Sequence, residues 1–188
     1  QGWVTGPIST HIHVLEYQLA HLSQRIITCS TAMRSDVATL FGIASADVDV
    51  IGNGIDLGNW SVAEEDVEAA RQSWAPNGQL GVFVGRLEWE KGVHTLLEAM
   101  PLLAATDLHL VIAGTGTFEP ELVKLAGHLL ETERVTFTGW LPEAQLKALQ
   151  AAADVIVVPS LYEPFGLVAL EAGALGVPAV VAGTGGLT

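Results

Sequence analysis

From Leu80 onward the chain alternates two kinds of segment. Short apolar, β-branched runs recur at "LGVFVG" (80–85), "LHLVIAG" (108–114), "RVTFTG" (134–139), "DVIVVPS" (154–160) and "PAVVAG" (178–183). Helix-length stretches separate them, over 91–104, 118–130, 142–152 and 164–176. Strands alternating with helices predict βαβ units and a parallel sheet, and runs this apolar predict strands covered on both faces. The expected class is α/β, a Rossmann-like doubly wound parallel sheet.

The same alternation occurs once more upstream. A helix around 11–23, the run "RIITCS", a helix around 31–41 and the run "VDVIG" fill the first 52 residues. "GNGIDLGN" (52–59) then breaks the pattern with three glycines and two asparagines, a turn-rich linker. An acidic surface helix, "AEEDVEAARQSWAP" (63–76), leads into the next sheet. The division is therefore 1–56, a partial α/β segment with its linker, and 57–188, a ligand-binding domain truncated at its C-terminus. The opening "QGWVTGPIST" carries neither an initiator methionine nor a signal pattern, and the chain reads as a fragment.

Composition narrows the partners. Hydrophobic residues make up 49% of 188, enough for a sizeable core. The net charge of −13, with only eight Lys and Arg, opposes non-specific nucleic-acid binding and anionic membrane surfaces. No run is long enough to span a membrane, because Ala172 to Thr188 is broken by glycines and Pro178. The single Cys29 allows no internal disulfide, which suits a cytoplasmic setting, and its place at a strand end reads as packing. His11 and His13 assemble with no further ligands, so no metal site is expected.

The candidate chemistry follows strands. Gly85 and Arg86 follow one apolar run, Gly114 closes the next, and Glu163 follows "VIVVPS". Ligands of open parallel sheets bind beyond the carboxyl ends of the strands. "GRLEWEKG" (85–92) places Arg86 and Lys91 within six positions. Ion pairing with Glu88 and Glu90 would explain them; so would a diphosphate clamp, Arg offering a forked contact and Lys a point charge. In so acidic a chain an anionic ligand needs such local cations. "GTGTFEP" (114–120) lacks the third glycine of a dinucleotide fingerprint and reads as a strand-to-helix turn, which disfavours a nicotinamide-dependent oxidoreductase.

Glu163 and Glu171 flank "PFGLVAL" in an apolar stretch, where an unpaired carboxylate is costly. If Pro164 opens the helix, the amides of Phe165, Gly166 and Leu167 are donors at its positive end. Eight residues of helical rise would then separate the two glutamates by roughly 12 Å. Such a pair reads two ends of one long ligand more naturally than it flanks one bond. Two solvated helix charges is the plain alternative.

"GRLEWEKG", "VIAGTG", "RVTFTGWLP" and "DVIVVPSLYEPFGLVALEAGALGVPAVV" resemble, in that order, the nucleotide-sugar domain of retaining glycosyltransferases of family 4. These are two-domain GT-B enzymes related to glycogen and sucrose synthases. "VDVIGNGID" resembles their interdomain segment, with Gly52 at a usual proline, and "RIITCSTAMRSDV" the close of their acceptor-side domain. The resemblance implies that Arg86 and Lys91 hold the donor diphosphate and that Glu171 binds the ribose hydroxyls. It implies that Glu163, with the amides of Phe165 to Leu167, holds the transferred sugar. Arg134 and Val135 would border the base; Trp89 and Trp140 receive no role. The implied activity is hexose transfer, glucose first, from a UDP- or ADP-sugar to a sugar or glucan acceptor, with retained configuration and no metal. A fragment of this extent is expected to bind donor without completing transfer. A non-catalytic nucleotide-sugar module and a GT-B epimerase relative are the alternatives.

Overall fold

Each apolar run forms a strand in the computed structural model, which describes residues 7–129 and 134–188. The opening hexapeptide and Leu130, the last residue of the helix expected over 118–130, lie outside the described residues. Contacts divide the chain into two compact units. The first comprises Gln1–Gly54 together with Glu163–Phe165 and Gly183–Thr188, the second Ile55–Tyr162 and Gly166–Ala182. The sequence division at 56/57 does not foresee the two later segments that join the first unit.

In the first unit, α1 (Pro7–Leu22), β1 (Ile26–Thr28), α2 (Thr31–Phe41) and β2 (Val48–Val50) follow in order. β1 and β2 pair in parallel, Ile26 beside Val48 and Thr28 beside Val50. Arg25 forks onto the Asp49 carboxylate beside this pair. Ser30 caps α2, its Oγ accepting from the Met33 amide at 3.1 Å. Such a cap satisfies one of the free N–H groups of the first turn. The same hydroxyl donates to the Pro164 carbonyl at 2.7 Å, which ties the later segment to the cap.

The second unit contains α3 (Glu64–Trp74), β3 (Gln79–Val84), α4 (Val93–Ala99), β4 (Leu108–Ala113), α5 (Glu119–Leu129), β5 (Val135–Gly139), α6 (Glu143–Ala152), β6 (Val155–Val158), α7 (Leu167–Ala174) and β7 (Ala179–Val181). The five strands form one sheet in the order β5-β4-β3-β6-β7, and every pairing is parallel. Phe83, Leu110 and Ile112 pack on one face with Val93, Leu97 and Leu122 of α4 and α5. Leu80 and Val82, which alternate with Phe83 along β3, are also fully buried, as are Leu149 of α6 and Ile156. The central strands are thus covered on both faces, which accounts for their unbroken apolar runs. From β3 the chain winds outward to β5, then returns to lay β6 on β3's other side. The order reverses between β3 and β6, and ligands of such sheets bind at the carboxyl ends beside that reversal.

Candidate functional site

The loops leaving β3, β4 and β6 are bonded into one platform at the carboxyl edge. The Gly85 amide donates to the Ala113 carbonyl at 3.0 Å, and Leu87 N to Thr115 O at 2.9 Å. Gly114 N reaches Gly139 O at 2.9 Å, and Leu161 N reaches Glu90 O at 2.8 Å. Gly114 has φ 140°, and a Cβ there would stand 1.9 Å from the Gly85 carbonyl oxygen. Only glycine allows these two backbones to approach so closely.

A cavity of about 210 Å³ opens on this platform. Val84, Gly85 and Arg86 line it after β3, Ala113, Gly114 and Thr115 after β4, Trp140 and Leu141 after β5, and Leu146 from α6. Arg86 is 71% exposed and 3.5 Å from the Glu90 carboxylate. Glu88 does not pair with it closely. Its carboxylate accepts the Thr117 hydroxyl at 2.6 Å and the Thr117 amide at 3.1 Å, and these bonds hold it below the ordinary glutamate range. Arg86 thus stands within ion-pair distance of Glu90, while Glu88, on which the Arg86 charge also acts, fastens the β3 loop to the β4 loop. Lys91 closes the short 3-10 turn Trp89–Lys91 ahead of α4.

Trp89 finds a packing role. Its ring stacks on His94, centroids 5.7 Å apart, and His94 meets Phe118 edge-on at 5.9 Å. Trp140, which is 74% exposed, has a different setting on the cavity wall. Sequence reasoning left it without a role, although its position directly after β5 marks the carboxyl edge.

Arg134 and Val135 are a correction. Arg134 precedes β5 and so stands at the amino edge of the sheet. Its guanidinium donates to the carbonyls of Leu103 at 3.1 Å, Thr106 at 3.3 Å and Leu108 at 3.1 Å. Val135 is beside Leu110 in the sheet and packs on the core. Neither lines the carboxyl-edge cavity.

The glutamate stretch also differs from the expected continuous helix. Pro164 does not open α7, which starts at Leu167 behind Gly166 in the left-handed region, φ 99°. The reason lies in what holds the preceding residues. The Glu163 carbonyl accepts from Gly186 N at 2.8 Å, and the Pro164 carbonyl accepts from Ser30. Glu163, Pro164 and Phe165 thus belong to the first unit, and Gly166 makes the turn that helical φ could not. The eight-residue helical rise does not apply, and of the three amides named as helix donors only Leu167 is in α7.

Glu171 lies in the second turn of α7. Burial pushes its carboxyl above the ordinary range, opposed by a hydrogen bond from Gln150 and the charge of Lys147. Gln150 Nε2 is 3.5 Å from Glu171 Oε2. Among the described residues no group of three or more His, Cys, Asp and Glu is placed to hold a metal ion, and no helix is long and apolar enough to cross a membrane.

Residues 65–188 match the family model of glycosyl transferases group 1, and residues 2–59 match that of glycosyltransferase family 4. The chain belongs to the group 1 glycosyl transferases. It is 43% identical over 188 residues to a glycogen synthase of Mycobacterium tuberculosis, covering 99% of this chain and 44% of that one. It is 36% identical over 177 residues to a D-inositol 3-phosphate glycosyltransferase of Mycolicibacterium gilvum, covering 92% and 40%. The chain thus spans less than half the length of these relatives. Among solved structures, Anabaena HepE in complex with UDP-glucose superposes with a TM-score of 0.84 at 27% identity, over 95% of this chain and 50% of that one. Sucrose-phosphate synthase from Thermosynechococcus elongatus gives 0.81 at 26%, over 98% and 48%. The resemblance to GT-B glycosyltransferases and the doubly wound α/β class are borne out.

Proposed function

We propose that this chain is the donor-binding part of a retaining hexosyltransferase that moves glucose from UDP- or ADP-glucose to a hydroxyl of a glucan. The observation that carries this reading is Arg86. It is an exposed cation on a cavity at the carboxyl edge, beside backbones that Gly85 and Gly114 bring together. The glycogen synthase likeness and the UDP-glucose in the HepE structure support it.

Arg86 and Lys91 hold the diphosphate and take up charge as it leaves, which is preorganised electrostatic stabilisation. Glu171 accepts from the ribose hydroxyls, and Glu163 holds the sugar. The bond from anomeric carbon to phosphate oxygen breaks, and its electron pair departs with the nucleoside diphosphate. The acceptor oxygen bonds the same face of the sugar, its proton passing to the leaving phosphate. Metal is not required, and the setting is cytoplasmic. The likeness to D-inositol 3-phosphate glycosyltransferases favours a phosphorylated cyclitol as the second acceptor to assay.

Calorimetric titration with UDP, ADP, GDP, their glucose conjugates and NAD tests the reading. UDP or ADP should bind, with or without EDTA, and NAD should not. Glu171→Gln should weaken both UDP and UDP-glucose, whereas Glu163→Gln should weaken only UDP-glucose, each by about 1 to 3 kcal/mol. Preference for NAD, or identical losses for both variants on both ligands, would remove the reading.

A further inference from the structure

Gln150 is unusual among the buried residues of the second unit. It is fully buried on α6, a helix whose other buried residues, Ala148, Leu149 and Ala152, are all apolar. A carboxamide in such a place is costly unless both its ends are bonded. Here only one end is. Nε2 faces Glu171 Oε2 at 3.5 Å, while Oε1 is buried without a hydrogen-bond partner.

We infer that Gln150 is a positioning residue for the ribose-binding carboxylate: its buried carboxamide fixes where the Glu171 side chain points. The inference rests on the reading of Glu171 as the ribose ligand. Three observations favour it over simple packing. Leu or Met would fill the same volume without leaving a buried oxygen unpaired. No other side-chain hydrogen bond to Glu171 is recorded among the described residues. Lys147, one turn earlier on α6, acts on Glu171 by charge, yet its ammonium bonds Glu143 at 2.6 Å and lies 5.3 Å from the Trp60 ring. Lys147 supplies field without direction; Gln150 supplies direction. A carboxamide can also serve either state of its partner. Its N–H₂ donates to the carboxylate, and turned over, its oxygen accepts from the neutral acid. The unpaired Oε1 is what that second arrangement would use.

The test has one arm without nucleotide and one with it. Without nucleotide, the carboxyl carbon of Glu171 is titrated by NMR in wild type and in Gln150→Met. Loss of the donor should move the midpoint upward. In wild type the side-chain amide protons of Gln150 should shift with the same midpoint, and that signal should vanish in Glu171→Gln. This measurement needs no substitution at 150, so it decides the matter even if Gln150→Met fails to fold. With nucleotide, Gln150→Met should weaken UDP roughly threefold to tenfold, the size of one hydrogen bond. It should leave 2′,3′-dideoxy-UDP unchanged and add nothing in a Glu171→Gln background. A Gln150 amide indifferent to the Glu171 titration, or equal losses for UDP and 2′,3′-dideoxy-UDP, would overturn the inference. Absence of UDP binding by wild type would instead overturn the ribose reading while leaving the NMR arm to report on the contact itself.

Discussion

The two edges of the five-stranded sheet both carry arginines, and they use them in opposite ways. At the amino edge Arg71 donates to the Ala152 carbonyl at 3.0 Å, the Gly78 carbonyl at 2.8 Å and the Asp154 carboxylate at 2.7 Å. Arg134 is likewise engaged by three backbone carbonyls. At the carboxyl edge Arg86 stands out in solvent with one carboxylate 3.5 Å away. The amino edge even has the larger recess, about 610 Å³ against about 210 Å³. Volume therefore does not separate the edges; the state of the cations does. An arginine held by three acceptors of the fold has less left for a ligand.

The sharpest break of this comparison is Arg71→Ala. Asp154 Oδ2 also accepts the Leu80 amide at 2.7 Å, so removing the guanidinium strips one side of a contact that joins α3, β3 and β6. Charged hydrogen bonds contribute about 1.5 to 3 kcal/mol each, but this pair is partly exposed and screened, so a total loss of about 2 kcal/mol is expected. Urea denaturation measures it, and UDP affinity of the folded protein should not change. A weakened UDP affinity would mean the two edges are not independent.

Arg86→Ala should give the mirror image. Losing one charged contact to the diphosphate, about 1.5 to 3 kcal/mol, weakens UDP roughly tenfold to a hundredfold. Stability should move by less than about 1 kcal/mol, because Arg86 itself is exposed although Glu90 is largely buried. Uridine affinity should hold steady. Equal weakening of uridine and UDP would make Arg86 a support for the loop instead.

These edges also explain what the sequence disclosed. The strand runs were legible because burial on both faces removes the polar alternation that would blur them, and the helices between them follow of necessity. Arg86 and Gly114 were legible because each follows its strand. Arg134 was misplaced against the same rule: it precedes "VTFTG", whereas Trp140 follows it. The break at Gly166 could not be read locally. It depends on Ser30 and Gly186, residues distant in sequence that hold Pro164 and Glu163. Gln150 was invisible for a related reason, since one glutamine on an apolar helix has meaning only beside its partner on another.

A smaller effect tests the correction itself. Arg134→Ala should cost about 1 kcal/mol, the three carbonyls turning partly to water, and should leave UDP and uridine affinities untouched. Loss of uridine affinity would return Arg134 to the base.

The smallest expected effect distinguishes the edges by pH. At Asp154 burial favours the neutral acid, but the Arg71 hydrogen bond, the Leu80 amide and the Arg71 charge outweigh it and hold the carboxyl below its ordinary value. A lowered folded pKa contributes stability that is full above the unfolded value, about 3.9, and is lost as pH falls through the folded one. Glu171 has the opposite sign, because burial dominates and its carboxyl is raised. Its charge costs stability at neutral pH, and the cost is relieved as pH falls through the raised value toward the unfolded one, about 4.3. Denaturant midpoints from pH 7 downward, in wild type, Asp154→Asn and Glu171→Gln, separate the two. Wild type should gain on Glu171→Gln as acid is added, and should lose its advantage over Asp154→Asn only below about pH 4. A wild type that falls behind Glu171→Gln on acidification would mean that its carboxylate is held by a partner in the fold, as Asp154 is, and not kept in a costly setting for a ligand.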